Sequence, residues 1–273
     1  MNKCLKMLLI ASTLLLPASV LASKLEECMT DQCVKYFKSF EKASRSGHQS
    51  ANVILGNFYY YGHGVKSNPR VALTYFKKAA KAKITSAQYM SGLLYVSESD
   101  FRDVDDGIEY LEKAAKKEHS SAIFMLGVVY LTDEYGIKDA EKADNYLATA
   151  YENRHERMPV IINHIKKSTE ITATNFPKLY AEINKAPMLT NSNGSSIWPD
   201  AGIERITVNG PTLTNMLNEQ LLAMRKPIKS LGTRLQGKSC GERIECKGSS
   251  INNLADLTSL VIIPTGFGVV SGR

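Results

Sequence analysis

One nine-residue pattern occurs three times in this chain, at a spacing that favours a helical array. It reads Ala-x-x-x-Leu-Gly-x-x-Tyr, with Ser in place of Leu in the second copy, and it begins at Ala51, Ala87 and Ala122. The copies are therefore 36 and then 35 residues apart. Periods in this range are typical of solenoids, in which each unit buries its apolar face only against its neighbours.

A second pattern follows each copy and predicts that every unit is a pair of helices. Tyr, a large apolar residue and Ala recur at positions i, i+1 and i+4, beginning at Tyr75, Tyr110 and Tyr146. This is the spacing of one apolar helix face, on which the small Ala permits a neighbouring helix to approach closely. In the first unit the two helices are separated by residues 62–65, Gly-His-Gly-Val, whose glycines can adopt the positive φ that ends a helix.

Residues 51–86 resemble the Sel1-like repeat, a relative of the tetratricopeptide repeat. The matching residues are Ala51, Leu55, Gly56, Tyr59, Gly62, Gly64, Val65, Ala72, Tyr75, Lys78, Ala79 and Ala80. Residues 87–121 and 122–157 are weaker copies that lack the Gly-x-Gly turn, and Phe40, Ala43 and Gly47 fit the end of a preceding second helix. The resemblance implies a protein-binding adaptor and no narrower function, because such folds host many roles.

We therefore predict a mainly α fold, an α-solenoid of Sel1-like helix pairs followed by a small mixed α/β C-terminal segment. The array and its capping helices, at residues 159–167 and 177–185, occupy residues 23–187. A turn-rich linker is expected at 188–202 and a C-terminal module, which resembles no family that we recognise, at 203–273. Within that module we expect a short strand at 206–208, further strands within 260–270 and a helix over 212–225. The apolar face of this helix comprises Leu213, Leu217, Leu221 and Met224.

The first 22 residues are typical of a secretory signal peptide. Lys3 and Lys6 precede an apolar run at residues 7–16, and small residues lead to Ala22. The run is too short to remain as a membrane anchor. We expect cleavage after Ala22 and a periplasmic or secreted protein without a transmembrane anchor; the alternative is a buried N-terminal helix.

The cysteines point to disulfide bonds if the chain is exported. Of the five, Cys4 would leave with the signal peptide. The remaining four allow three pairings, among which we favour the local bonds Cys28–Cys33 and Cys240–Cys246. A zinc site made from all four is the alternative, although their spacing is loose for one. No metal ion or other cofactor is predicted.

The positive charge of the chain is concentrated near its C-terminus. The formal charge is +7, and residues 203–273 hold nine Lys and Arg against five Asp and Glu. Contact with an acidic partner or an anionic envelope surface is one interpretation, and a solvated face without a ligand is the other. A nucleic-acid partner is not expected, because the basic residues have almost no aromatic residues between them for stacking.

The resemblance also implies where a partner would bind. By analogy with tetratricopeptide repeats, the first helices line a concave wall, and large exposed apolar patches mark interaction sites. The expected wall residues are Val53, Asn57, Tyr60, Tyr61, Tyr89, Leu93, Val96, Phe124, Val128 and Leu131. In two alternatives these side chains are not open to a partner. A tightly curved array packs them between neighbouring helices, or residues 203–273 fold against the array and occupy or flank its concave face.

Three histidines occupy equivalent places after the second helices. His48, His119 and His155 each follow the Ala of the preceding helix by five residues. Stacked helices lie roughly 8–10 Å apart, too far for such residues to share one metal ion, so we interpret them as turn residues between repeats.

The sequence leaves two functions open. We find none of the common catalytic motifs in it. It therefore favours an exported, non-enzymatic scaffold that binds a protein partner, as an adaptor, regulator or inhibitor. The alternative is an envelope enzyme with its active site in residues 203–273.

Overall fold

The computed structural model describes residues 28–168, 171–199 and 212–225, and these residues are mainly α-helical, as predicted. Two short 3₁₀ turns, Ser99–Phe101 and Asp133–Tyr135, occupy the connections in which the second and third units lack the Gly-x-Gly pattern. The helices of the described part are α1 Asp31–Arg45, α2 Gln49–Tyr61, α3 Pro69–Lys81, α4 Thr85–Ser97, α5 Val104–Ala115, α6 Ser120–Leu131, α7 Ala140–Glu152, α8 Met158–Ser168, α9 Pro177–Lys185 and α10 Leu213–Met224.

Helices α1 to α7 form the array, because each packs against the next one along the chain. The three helix pairs are α2 with α3, α4 with α5, and α6 with α7. Helix α1 stands before them as the expected unpaired second helix, and Phe40 on it lies edge-on to Phe58 with ring centroids 5.7 Å apart. The α-solenoid prediction is therefore confirmed for this region.

Close contact within each pair depends on a glycine in the first helix. A Cβ atom placed on Gly92 would lie 2.7 Å from Leu111 Cγ and 2.8 Å from the carbonyl oxygen of Gly107. Gly56 meets Phe76 and Gly127 meets Leu147 in the equivalent way. The repeated Gly and the large residue that follows each repeated Tyr are thus two sides of one contact.

The same left-handed backbone conformation follows each second helix, although only one of these positions has a glycine that predicts it. Gly47 after α1 has φ of 92°, and Lys83, Glu118 and Arg154 occupy the equivalent positions with φ of 61°, 60° and 49°. L-residues with side chains rarely adopt this left-handed region. The chain reversal between repeats therefore requires the left-handed conformation even at positions that are not Gly.

The C-terminal end of the array is closed by α9 and a small hairpin. Asp144 is buried on α7, and its carboxylate accepts hydrogen bonds from the backbone N–H groups of Lys178 (3.0 Å) and Leu179 (2.8 Å) at the start of α9. A carboxylate at this place both satisfies two free donors and complements the helix dipole. The units before it have Leu73 and Ile108 at the equivalent position, so this Asp marks the end of the repeating pattern.

The hairpin lies where the sequence suggested only a linker. Strands β1 (Leu189–Thr190) and β2 (Ser196–Ile197) pair antiparallel. The backbone N–H of Ser196 donates to Asn163 Oδ1 on α8 (2.9 Å), and Trp198 Nε1 donates to the carbonyl oxygen of His155 (3.4 Å). These bonds attach this part of the expected linker to the array, which is the physical reason for the difference.

Helix α10 packs against α1, at the opposite end of the array. Leu217 and Met224 are buried in the same apolar cluster as Tyr36. The Tyr36 hydroxyl donates to Asn218 Oδ1 at 3.1 Å and lies 3.5 Å from the carbonyl oxygen of Thr214. The expected helix over 212–225 is confirmed, and it folds against the array. The strands expected at 206–208 and within 260–270 lie outside the described residues.

We expect Leu217→Asp to detach α10 without unfolding the array. Leu217 is 2% exposed, whereas Leu222 on the same helix is 56% exposed, so a charge is buried only at position 217. Amide hydrogen exchange should accelerate throughout α10 in Leu217→Asp, while α2 to α7 keep their protection. Leu222→Asp is the matched control and should exchange like the parent; equal protection of α10 in both variants would contradict this packing.

Candidate functional site

The predicted wall is not an open apolar stripe. Eight of its ten side chains are buried, and Tyr60 and Leu131 are partly buried. The reason is that the first helices are enclosed on all sides, since residues 51–58, 86–96 and 122–130 are buried without interruption. The buried members are Val53, Asn57, Tyr61, Tyr89, Leu93, Val96, Phe124 and Val128.

Part of the wall carries polar atoms that have no hydrogen-bond partner within the part of the chain that the structure describes. They are Asn57 Oδ1, Tyr61 OH and Tyr89 OH, and we call these three residues the polar wall cluster. A buried donor or acceptor without a partner costs about 1–3 kcal/mol of stability. The cluster is therefore unfavourable in the free chain and is suited to a ligand that offers hydrogen bonds.

Electrostatics keep the tyrosines of this region in the protonated, hydrogen-donating form. Burial, and secondarily the Glu98 carboxylate, raise the pKa of Tyr60 to about 12. Burial also raises the pKa of Tyr61, with further contributions from Tyr60 and Tyr89. Burial raises the pKa of Tyr89 as well, although the positive charge of Arg157 opposes the shift. Tyr60, Tyr61 and Tyr89 thus lie close enough to influence one another and present hydroxyl donors throughout the physiological pH range.

The repeated histidines form contacts between successive repeats, as the sequence suggested. His119, before α6, stacks on Tyr89 of α4 with ring centroids 4.6 Å apart. His155, before α8, stacks on Phe124 of α6 at 4.2 Å. Ile84 is buried at the equivalent position of the first repeat. His119 and His155 therefore each cover a wall residue of the repeat that precedes them.

Burial holds both stacked histidines in the neutral form. Desolvation lowers the pKa of His155 to about 4, and the nearby Arg157 and His119 add to the shift. Desolvation likewise lowers the pKa of His119, against an opposing backbone hydrogen bond. A neutral ring lets His155 Nδ1 accept a hydrogen bond from the backbone N–H of Arg157 (3.3 Å).

We expect the stability of this fold to decrease as the pH falls from about 6.5 to 4, in part because of His155. Its pKa is lower in the folded state, so the unfolded chain takes up the proton first and is favoured. A shift from 6.5 to about 4 corresponds to about 3 kcal/mol. In His155→Ile, which copies Ile84 of the first repeat, that part of the pH dependence should vanish in denaturant titrations. The exposed His164→Asn should keep the parental dependence, and an unchanged slope in His155→Ile would contradict the assignment.

The N-terminal cysteines lie beside the turn of the first repeat. Cys28 and Cys33 are paired in a disulfide with Cα atoms 6.0 Å apart, which agrees with the preferred local pairing. The backbone of Cys28 bridges to the Gly62–Gly64 turn, since its N–H donates to the carbonyl oxygen of Gly62 at 3.1 Å. Cys240 and Cys246 lie outside the described residues.

Within the described residues, no helix combines the length and the apolar character that crossing a bilayer requires.

Comparison with known proteins supports the assignment of the array. The family model of the Sel1 repeat matches residues 49–83, 85–119 and 120–155. The chain resembles c5321, a protective antigen present in uropathogenic Escherichia coli strains displaying an SLR fold, with 18% identity and a TM-score of 0.48 over 56% of this chain and 33% of that one. A Sel1 repeat protein from Oxalobacter formigenes is similar at 23% identity, with a TM-score of 0.45 over 56% of this chain and 62% of that one. This chain thus spans less than two thirds of either structure.

The comparison with curated protein sequences found no match. The family match and the geometry nevertheless agree, because each matched segment begins at or next to a first helix and ends at the reversal after a second helix. Sel1 repeats indicate a scaffold for protein–protein interaction. This chain contains three Sel1 repeats, which together span residues 49–155.

Proposed function

We propose that this protein is an exported, non-enzymatic scaffold that binds a protein partner through the wall of its Sel1 array. It would act as an adaptor, regulator or inhibitor in the periplasm or outside the cell. The observation that carries the proposal is the polar wall cluster, whose Asn57 Oδ1, Tyr61 OH and Tyr89 OH are buried without hydrogen-bond partners among the described residues.

An extended peptide segment supplies what this cluster lacks. Peptide groups carry one donor and one acceptor per residue, whereas the tyrosines offer hydroxyl donors and Asn57 an amide oxygen. The surrounding wall residues, such as Leu93 and Val96, are apolar and can contact the side chains of the same segment. The combination of a few fixed polar groups within an apolar surface is typical of specific binding sites.

Binding requires that the wall open, because its polar atoms are not accessible to solvent. Separation of neighbouring repeats exposes it, since contacts such as the stacked rings of Tyr89 and His119 hold the wall closed. The C-terminal module is the second element of control in our proposal, as a tethered segment competes with a partner at high effective concentration.

We also propose that the protein is exported and that it has no catalytic activity. The signal-like residues 1–22 and the pairing of Cys28 with Cys33 support export, because disulfides persist in oxidising compartments. The Sel1 repeats support the role of a scaffold, and the absence of catalysis is part of our proposal.

The test removes the two hydroxyls and keeps the rings. A partner is first identified by affinity capture from envelope extract of the native host with residues 23–273 as bait, and its affinity is then measured for Tyr61→Phe/Tyr89→Phe. Two lost hydrogen bonds at about 1–1.5 kcal/mol each should weaken binding roughly 30- to 150-fold. The free variant should be as stable as the parent or more stable, because two buried hydroxyls without partners have been removed.

The matched control is Tyr75→Phe/Tyr110→Phe, which alters two partly buried tyrosines of the second helices. It should bind the partner like the parent. If the wall variant also binds with parental affinity, the wall is not the binding surface; if it is clearly less stable, its hydroxyls serve the fold instead.

A further inference from the structure

Cys28, Cys33 and His63 bring three metal-binding side chains together at the N-terminal end of the array. One ligand atom from each, two Sγ atoms and a ring nitrogen, lie within 4.8 Å of one another. Among the described residues this is the one such group of three or more His, Cys, Asp or Glu side chains. We propose that, when the Cys28–Cys33 disulfide is reduced, these three residues bind one Zn²⁺ ion.

The backbone positions the three ligands before any ion arrives. The backbone N–H of Cys28 donates to the carbonyl oxygen of Gly62 (3.1 Å), and the N–H of Gly64 donates to the carbonyl oxygen of Cys28 (2.5 Å). Cys28 is therefore bonded to both neighbours of His63. The Gly64 Cα lies so close to the backbone of Cys33 that a Cβ atom would overlap it, so the third ligand is fixed to the same turn.

The surroundings of the ligands favour thiolate sulfurs and a fixed imidazole ring. Cys33 lies in the first turn of α1, where the helix dipole favours a thiolate. Thr30 Oγ1 lies 3.4 Å from Cys28 Sγ and 3.3 Å from Cys33 Sγ, within reach of both sulfurs. The buried His63 ring is packed against Phe58 with centroids 4.9 Å apart, which restricts its orientation.

The donor set selects the metal. Zn²⁺ binds thiolates at about 2.3 Å and imidazole nitrogen at about 2.0–2.1 Å in a tetrahedron. After reduction the two sulfurs must therefore move apart, while the ring nitrogen of His63 already lies within 4.8 Å of both. Two thiolates and one imidazole leave a fourth position for water. Soft thiolate ligands favour Zn²⁺ over Mg²⁺ or Ca²⁺, which prefer oxygen.

Metal binding and the disulfide exclude each other. Reduction breaks the S–S bond, delivers two electrons to the sulfurs and leaves two thiols. A dithiol supplies the two protons and becomes a disulfide, whereas with a phosphine one water molecule supplies both protons and the oxygen of the phosphine oxide. Zn²⁺ then replaces the two thiol protons, which are released to solvent, and His63 binds through a neutral ring nitrogen. The same three residues therefore either hold a disulfide or bind a metal.

Cobalt is the probe, because Co²⁺ replaces Zn²⁺ and is coloured. The parent is the full chain with Cys4, Cys240 and Cys246 changed to Ser, so that Cys28 and Cys33 are its only thiols. After reduction with a phosphine, we expect one equivalent of Co²⁺ to give a thiolate-to-cobalt charge-transfer band, which Zn²⁺ abolishes. The oxidised parent should give no band.

Variants assign the ligands. Cys28→Ser and Cys33→Ser should each lose the band, and His63→Asn should weaken the Kd at least about tenfold, since even outer-shell changes have effects of 10- to 100-fold. The exposed His164→Asn is the matched control and should bind like the parent. Circular dichroism verifies that His63→Asn is folded, and His63→Gln is measured beside it.

Two results would overturn the proposal: a reduced parent that gives no charge-transfer band, or a folded His63→Asn that binds Co²⁺ with parental affinity and spectrum. Neither result bears on the wall, because the cobalt titration involves no protein partner.

Discussion

The structure depends on the close approach of two helices at a glycine in each repeat. Gly92 shows the constraint most clearly, because a single Cβ atom there would collide with backbone atoms of Gly107 and Leu111 as well as with a side chain. Backbone atoms cannot move aside as the end of a side chain can, so the distance between α4 and α5 is fixed by this contact. The stacked tyrosines that join the same helices, Tyr95 and Tyr110 with centroids 6.0 Å apart, fit only at this separation.

The enclosure of the first helices is a consequence of that approach. Once the second helices lie close on one side, residues at every position of α4 from Ser86 to Val96 become buried, and the side expected to face a partner is no exception. Apolar periodicity alone does not distinguish a wall that waits for a ligand from a core that is already packed. The unpaired polar atoms of Asn57, Tyr61 and Tyr89 are what our proposal rests on, because an ordinary core usually pairs such groups.

The array could be predicted from sequence because its signal is repeated. Each equivalent position was observed three times, so the helix pairs and the place of the histidines did not depend on one residue. The sequence analysis assigned the close helix approach to the repeated Ala, and the contact of the repeated Gly with the second helix was found only in the structure. Several other features that the sequence did not indicate occur only once. Asp144 is an example, since only its exceptional polarity at a position otherwise filled by Leu73 and Ile108 could have indicated that the pattern ends there.

Contacts distant in sequence were likewise beyond prediction. The sequence showed that α10 has an apolar face. It did not show that this face packs on α1, because any apolar surface of the array could bury it equally well. The position of His63 beside the N-terminal cysteines had no sequence signal either, since the 29 residues between Cys33 and His63 exceed the short spacings by which metal motifs are recognised.

The two ends of the array are linked by a short piece of chain, and this limits how far the wall can open. Trp198 contacts Tyr151 near the C-terminal end, with ring centroids 5.0 Å apart, while α10 contacts α1 at the N-terminal end. From Trp198 to Thr212 there are 14 residue steps, which span at most about 50 Å even when fully extended. Straightening of the array beyond this separation requires that one of the two contacts break. If the wall opens as we propose, release of α10 from α1, where the Tyr36 hydroxyl and a small apolar contact hold it, is one way to allow that opening.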